Sequence, residues 1–134
     1  MSAFAPEPEW QNLEWHRSCA AAGALCILRC TACGTWRHPP RRYCASCWSP
    51  DASFEPTAGT GVVATYSVSH RSLLPPWSDR VPFVTLVVEL DEGPRVLADH
   101  AGSAETVCIG DRMRITVEAV RDDFVLLHAD PTTA

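Results

Sequence analysis

Apolar and polar residues alternate in five segments of the second half of the chain, from Thr60 onward. In "PFVTLVVEL" every second residue is apolar, which predicts a strand with one face on a core. That face consists of Val84, Leu86, Val88 and Leu90. The turn sequence "DEGP" and the strand sequence "RVLADH" follow directly, so the two strands are predicted to form a hairpin.

The same alternation predicts the other three strands. In "GVVATYSVSHR" the apolar face is expected to hold Val62, Ala64, Tyr66 and Val68, and in "GDRMRITVEAV" it is expected to hold Met113, Ile115, Val117 and Ala119. "RDD" then turns the chain into "FVLLHA". Five strands with little room for helix predict a small closed sheet, and a five-stranded OB-type barrel is the natural candidate.

The first half of the chain follows a different pattern. "PEPEWQNLEWHRSCAAAG" predicts a helix that ends near Gly23, and "ALCILRC" predicts a short strand. "WSPDASFEPTAGTG" is rich in Pro, Ser, Asp and Gly, so a linker is expected near residues 50–58. We therefore divide the chain into a helical segment (1–24), a cysteine-containing ribbon (25–56) and the barrel (57–134).

Four cysteines stand in two C-x-x-C pairs within "CTACGTWRHPPRRYCASC": Cys30, Cys33, Cys44 and Cys47. Two such knuckles complete a tetrahedral site, so we predict that these residues bind one metal ion, with zinc favoured and iron as the alternative. Four thiolates leave no coordination position for water, which indicates a structural ion. Cys19, Cys26 and Cys108 are interpreted as small buried hydrophobic residues.

Composition excludes some functions and leaves others open. Hydrophobic residues make up 46% and charged residues 20%, as in soluble globular proteins, and the N-terminus lacks the pattern of a secretion signal. The expected location is therefore the cytoplasm. All 11 basic residues are Arg, and the net charge of −5 argues against general binding to a polyanionic backbone.

Two segments carry candidate ligand or partner contacts. The insert between the cysteine pairs contains Trp36, Arg37, Arg41 and Arg42, and it is either a solvated loop or a grip on phosphate groups or an acidic surface. The loop "SLLPPWSDRVPF" offers Trp77 and Phe83, with Arg71 just before it. No catalytic residue is predicted, because nothing in the sequence places Ser69, His70 and Asp79 as a triad.

The stretches "LRCTACGTWRHPPRRYCASC", "GTGVVATYSVSHR", "PFVTLVVELDEGPRVLA" and "IGDRMRITVEAV" resemble a family formerly known as a domain of unknown function. Its members combine an N-terminal helix, a rubredoxin-like zinc ribbon and a C-terminal OB fold. The resemblance therefore implies a mainly β fold with an N-terminal helix, a four-cysteine zinc ribbon and a five-stranded OB-fold barrel. The chain departs from the family pattern at Trp48, where the family often has Gly, and in its tail.

Members of this family accompany thiolases, lipid-transfer-type aldolases or enoyl-CoA hydratases. The resemblance implies a non-catalytic accessory subunit that forms a hetero-oligomer with such an enzyme, with two copies expected on a dimeric partner. Acyl-CoA is the expected ligand of the complex, with bulky acyl groups such as steroid side chains as the expected substrates. The alternatives are a single-stranded nucleic-acid-binding protein, an iron electron carrier and an independent hydrolase or transferase.

Overall fold

The structure is a computed structural model that describes residues 10–75 and 77–132. Helix α1 spans Trp10–Ala22. It ends at Gly23, where φ is 63° and the backbone N–H donates a hydrogen bond to the Cys19 carbonyl at 2.9 Å. A left-handed residue at a helix C-terminus favours glycine, which confirms the predicted end of the helix. The part of the predicted helix before Trp10 lies outside the described residues.

The cysteine-containing ribbon is a three-stranded antiparallel sheet. Its strands are β1 (Cys26–Cys30), β2 (Trp36–Arg37) and β3 (Ala52–Pro56), in the order β2-β1-β3. β3 lies inside the predicted linker, so that prediction is wrong for residues 52–56. All five residues of β3 pair with β1, and Phe54 packs against the core. Tertiary pairing therefore overrides the Pro- and Ser-rich composition of this segment.

All five strands predicted in the second half are present. They are β4 (Thr60–Ser69), β5 (Phe83–Leu90), β6 (Arg95–His100), β7 (Arg112–Arg121) and β8 (Phe124–Pro131). Their order is β4-β5-β6-β8-β7, and β7 pairs back to β4. β6 and β8 run parallel and meet at one residue pair, Asp99 and His128, so the barrel closes through a narrow seam. The fold is OB-like.

The predicted face of β4 is wrong for Val62, Ala64 and Tyr66, whereas Val68 packs against the core as predicted. Gly61 and Val63 are its buried residues, whereas Val62 and Ala64 are half-buried and Tyr66 is exposed. The register of β4 against β5 shifts between Val63 and Thr65, because a bulge adds one residue there. A bulge reverses which residues face inward, so simple alternation fails on this strand.

One hydrophobic core connects all three parts of the chain. It runs from Trp15 and Cys19 on α1 through Ile27 on β1 to Leu86 and Met113 in the barrel. Two short 3₁₀ helices, Trp77–Asp79 and Ala104–Thr106, complete the regular elements of the described residues. Within residues 10–75 and 77–132, no helix is long and apolar enough to cross a membrane.

Candidate metal centre and binding cavities

The four predicted metal ligands come together in space. The sulfur atoms of Cys30, Cys33, Cys44 and Cys47 all lie within 4.8 Å of one another. Two of the distances, between Cys30 and Cys47 and between Cys33 and Cys44, are 3.6 Å. A tetrahedron with Zn–S bonds of about 2.3 Å has sulfur atoms about 3.8 Å apart. The donor set and its spacing therefore fit one zinc ion held by four thiolates, with no position left for water.

The two knuckles have equivalent backbone hydrogen bonds. In the first, the Gly34 N–H donates to the Cys30 carbonyl at 2.9 Å, and in the second the Trp48 N–H donates to the Cys44 carbonyl at 2.9 Å. Both donor residues have a left-handed backbone, with φ of 81° at Gly34 and 65° at Trp48. Each turn thus aims two sulfur atoms at the same point.

The backbone also favours the thiolate form that a metal needs. The N–H groups of Cys47 and Ser46 lower the pKa of the Cys44 thiol to about 6. The N–H of Cys33 lowers the pKa of Cys30, with burial acting in the opposite direction. These turns therefore favour the thiolate form that zinc needs at Cys30 and Cys44. At Cys47 the lowering of the pKa by the Ser49 N–H is exceeded by the effects of the neighbouring cysteines and of burial, which raise the pKa to about 12.

The other three cysteines do not behave alike. Cys19 and Cys26 are buried, as predicted, and burial raises the pKa of the Cys19 thiol to about 12. Cys108 is exposed, so its prediction as a buried hydrophobic residue is wrong. It follows Val107, which points into the core in its place. The sequence around Val107 and Cys108 does not show which of these two side chains faces the core.

A large apolar groove lies where the helix, the ribbon insert and the barrel meet. This central groove has a volume of about 900 Å³. Its walls come from α1, from the insert, from the loop between β4 and β5, and from strands β5, β6 and β8. They include Trp15, His16, His38, Leu74, Trp77, Phe83, Leu97 and Phe124. Such a mostly apolar concave surface suits an elongated apolar ligand or a partner side chain.

The predicted ligand residues divide between two places. Trp77 and Phe83 line the central groove, with ring centroids 5.3 Å apart. Trp36, Arg37 and Arg41 line a smaller cavity of about 500 Å³ between the ribbon insert and the β5–β6 turn. Arg42 and Arg71 are exposed, and they line neither of these two cavities. The structure therefore places Trp77 and Phe83 in a different cavity from Trp36, Arg37 and Arg41, while His38 of the insert lines both cavities.

Sequence reasoning missed the part of the groove that α1 builds. The Trp15 indole N–H donates to the Cys26 carbonyl at 2.7 Å, and the Trp15 ring lies 5.3 Å from that of His38. His16 stacks on Phe124 at 4.7 Å, and its Nδ1 accepts a hydrogen bond from the Val125 N–H at 3.0 Å. The available signal was the pair of tryptophans Trp10 and Trp15, because aromatic residues on so short a helix favour docking onto another surface, although the sequence does not identify that surface.

The histidines of the groove are neutral near pH 7. Burial lowers the pKa of His38 to about 4. Burial also lowers the pKa of His16, with a smaller opposing effect of Asp123. The groove therefore receives no positive charge from its two imidazoles.

Charged side chains link the groove wall to the barrel seam. Arg80 contacts Asp99 at 3.3 Å and lies over the Trp77 ring at 4.9 Å. His128 contacts Asp99 through Nδ1 at 3.6 Å and Glu118 through Nε2 at 2.8 Å. His128 is therefore held to Glu118 by one hydrogen bond, with the Asp99 carboxylate nearby.

Comparisons with known proteins match both halves of the chain. The rubredoxin-like zinc ribbon domain of ChsH2 matches residues 20–52, and the C-terminal OB-fold domain of ChsH2 matches residues 55–118. A probable enoyl-CoA hydratase alpha subunit of Thermomonospora curvata is 37% identical over 131 residues, which cover 96% of this chain. The chain spans 38% of the length of that relative.

A solved structure described as an Ltp2-ChsH2(DUF35) aldolase contains a similar chain. The two chains are 32% identical and superpose with a TM-score of 0.82. The match covers 95% of this chain and 98% of the other. The similarity therefore extends over the helix, the ribbon and the barrel together.

Proposed function

The chain belongs to the ChsH2 family, which joins a rubredoxin-like zinc ribbon to an OB fold, and from this we propose that it is a non-catalytic accessory subunit of a thiolase-like enzyme that acts on acyl-CoA esters. The reaction served would be thiolytic or retro-aldol cleavage of a carbon–carbon bond, with bulky acyl groups such as steroid side chains as substrates. The name of the solved relative, an aldolase, supports this class of partner, and the name of the other, an enoyl-CoA hydratase subunit, supports an enzyme of acyl-CoA metabolism more generally.

The observation that carries the proposal is the central groove. All three parts of the chain contribute to it, its walls are mostly apolar, and it is large enough for an acyl chain or a pantetheine arm. In the proposal, Trp77 and Phe83 contact this apolar part of the ligand. Arg42 and Arg71 lie on the exposed surface, where they are proposed to meet the partner or a CoA phosphate.

Exposed apolar side chains surround the groove and support a protein partner there. Leu73 is 80% exposed, Leu97 is 66% exposed and Leu74 is 51% exposed. A surface patch of large apolar side chains beside a groove is typical of an interaction site. In the proposal, the partner enzyme covers these leucines and the groove becomes part of the wall of its substrate channel.

The catalytic groups are assigned to the partner. The zinc site is closed by four sulfur atoms, and His128 forms a hydrogen bond with Glu118 through Nε2 at 2.8 Å. His70 is exposed beyond the end of β4. The residues of this chain therefore contribute shape and binding surface in the proposal, and the zinc ion supplies ribbon stability when bound.

The test is recovery of the tagged chain from its native cells, identification of the proteins that come with it, and an assay of the pair for acyl-CoA cleavage. We expect a thiolase-like enzyme whose activity needs this chain. A chain recovered alone, or with nucleic acid, would contradict the proposal.

Two matched variants then test the groove. Leu97→Glu places a charge in the groove, whereas Ile109→Glu changes an equally exposed residue (67%) that does not line it. We expect Leu97→Glu to lower the affinity for the partner or the activity of the pair at least tenfold, with Ile109→Glu close to wild type. Equal effects of the two variants would remove the groove from the proposal.

A further inference from the structure

The central groove lies along a gap between two strands of the barrel. β6 and β8 run parallel, and in the described strands they pair with each other only at Asp99 and His128. Each strand contributes a continuous run of residues to the groove wall, 95–99 from β6 and 124–127 from β8. The two strands therefore separate on the N-terminal side of this pair, and the groove occupies the space between their facing edges.

One edge of β6 has no neighbouring strand over residues 95–98. The Leu90 N–H donates to the Pro94 carbonyl at 2.8 Å, so the backbone at Pro94 faces β5. Successive residues of a strand direct their backbone groups to opposite edges, and the register of β6 against β5 runs without a shift. The backbone N–H and C=O groups of Arg95 and Leu97 therefore face away from β5, towards the groove. Among the described strands, none pairs with this side of residues 95–98, which we call the open edge.

The facing edge of β8 is partly covered by helix α1. The Val125 N–H donates to Nδ1 of His16 at 3.0 Å, so a side chain of the helix takes the place of a neighbouring strand at this point. The His16 ring is fixed there by stacking on Phe124, with ring centroids 4.7 Å apart. The described residues supply no such substitute for the open edge of β6. The two sides of the gap therefore differ, and only the β6 side still offers a strand edge.

The open edge has the properties that an added strand requires. Its four residues extend over about 13 Å, at about 3.3 Å per residue. The side chains of Val96 and Ala98 are buried and hold this part of β6 on the core, whereas Leu97 is 66% exposed. An extended peptide that pairs with such an edge gains main-chain hydrogen bonds, and its side chains contact the surfaces beside the edge. Those surfaces are the mostly apolar walls of the groove.

We propose that the open edge of β6 binds an extended, mostly apolar peptide segment of the partner protein by strand addition. The source of the segment rests on the proposed function, whereas the edge itself belongs to this chain alone. α1 and β8 form other walls of the groove, so the edge is reached by a segment that projects from its own domain. β6 of a second copy is held inside its own barrel and does not project in this way. Trp77 and Phe83, on other walls, remain for the apolar ligand of the proposed function.

The first experiment is amide hydrogen exchange of the full zinc-loaded chain, followed by NMR. The probe is a blocked eight-residue peptide of alternating valine and threonine. In the free chain we expect the Leu97 N–H to exchange at least tenfold faster than those of Val96 and Ala98, which face β5. Saturating peptide is expected to slow exchange at Leu97 at least tenfold and to leave the other two rates unchanged.

Modified peptides and matched variants test whether backbone groups make the contact. One peptide carries methyl groups on its valine nitrogens and a second on its threonine nitrogens, so each loses the donors of one edge only. We expect these two peptides to differ at least tenfold in affinity. Leu97→Pro removes the N–H that faces the groove, at a position where a strand tolerates proline, and is expected to lower the affinity for the unmodified peptide at least tenfold. Leu97→Ala keeps that N–H and is expected to lower the affinity less than threefold.

Three results would overturn the proposal. The first is slow exchange of the Leu97 N–H in the free chain, as a monomer or as a dimer, since the edge is then already paired. The second is equal affinity of the unmodified and both methylated peptides, or no binding of any of them. This result decides the matter even where Leu97→Pro fails to fold. The third is fast exchange at Leu97 in the complex with the partner recovered from native cells. Absence of a thiolase-like partner would instead contradict the proposed function, while the peptide titration would still show whether the open edge accepts a strand.

Discussion

Trp48 occupies a backbone conformation that normally belongs to glycine. Its φ is 65°, and its N–H donates to the Cys44 carbonyl in the same way as the N–H of Gly34 donates to Cys30. A residue with a Cβ atom loses about 1–2 kcal/mol in this region. The side chain is 76% exposed, so burial does not offset this cost within the chain. Trp48 therefore makes the second knuckle less stable than a glycine at the same position would.

Trp48→Gly is expected to stabilise the chain. The gain in the free energy of unfolding should be about 0.5–1 kcal/mol, because relief of the left-handed strain exceeds the greater entropy that glycine loses on folding. Denaturant midpoints measured with zinc bound would show it. Trp48→Ala is the control, since it removes the ring but keeps the Cβ atom. An equal gain in both variants would mean that the ring, and not the backbone, is responsible.

Asp91 connects three separate parts of the barrel. Its two carboxylate oxygens accept hydrogen bonds from Arg112 at 2.7 and 2.9 Å, and one of them also accepts from the Thr60 hydroxyl at 2.6 Å. These hydrogen bonds, that of Arg112 first, lower the pKa of Asp91 from 3.8 to about 2. The charged carboxylate is thus the form that the folded state prefers.

Asp91→Asn is expected to reduce the loss of stability in acid. Because the pKa of Asp91 is lower in the folded than in the unfolded chain, its contribution is fully present above about pH 4 and is lost as the pH falls towards 2. Urea midpoints measured at several pH values in this range should therefore fall less steeply for Asp91→Asn than for wild type. Asp122→Asn, in the exposed β7–β8 turn, is the control and should retain the wild-type slope.

Among the elements, those with uninterrupted alternation were predictable from the sequence. The inner face of β5 is confirmed, with Val84, Leu86, Val88 and Leu90 all buried. β3 was missed because its strand character comes from pairing with β1 and not from its own residues. The face of β4 was wrong at Val62 and Ala64, and correct at Val68, because the bulge after Val63 depends on contacts with β5. Both failures arise where a neighbouring strand decides the local structure.

Trp15 is the largest buried side chain that anchors helix α1. Trp15 is 8% exposed and donates a buried hydrogen bond to the Cys26 carbonyl. Trp15→Ala is expected to lower the free energy of unfolding by about 3–5 kcal/mol, because a large cavity forms and the helix loses its anchor. Trp10→Ala is the matched control on the same helix, and since Trp10 is 78% exposed its effect should stay within about 0.5 kcal/mol.

Thermal or urea unfolding of the two variants would measure the difference. Loss of the helix should also open the wall of the central groove that Trp15 and His16 build. Similar midpoints for Trp15→Ala and Trp10→Ala would show that α1 contributes little to stability.

At the scale of the whole molecule, the metal centre could be predicted and the cavities could not. The four cysteines act through local spacing, which the sequence displays directly. The wall of the central groove instead includes a hydrogen bond from the Val125 N–H to His16, two residues that lie 109 positions apart in the sequence. No local pattern encodes that contact. The burial of Arg37 is equally non-local, because an arginine in a polar insert is normally expected to be exposed. The metal ligands could therefore be predicted from the sequence, whereas the cavities could be recognised only in the tertiary structure.

The zinc site and the barrel should differ in their dependence on the metal. Apparent binding energies of structural zinc, about 10–16 kcal/mol, equal or exceed the whole stability of a typical domain, about 5–15 kcal/mol. The ribbon sheet has only three short strands, whereas the barrel has five strands in continuous pairing. Loss of the ion should therefore unfold the ribbon first.

Cys44→Ser is expected to release zinc and to open residues 26–56 while β5 to β8 stay paired. Metal content and amide hydrogen exchange of the full chain would show both effects, and Cys108→Ser is the control because it removes an exposed thiol outside the site. Since Ile27 of β1 belongs to the shared core, the barrel should also unfold at lower denaturant. Full zinc content in Cys44→Ser would contradict the ligand assignment. Equal loss of amide protection in β1 and β5 would mean that the ion holds the whole molecule, because the shared core then couples the ribbon to the barrel completely.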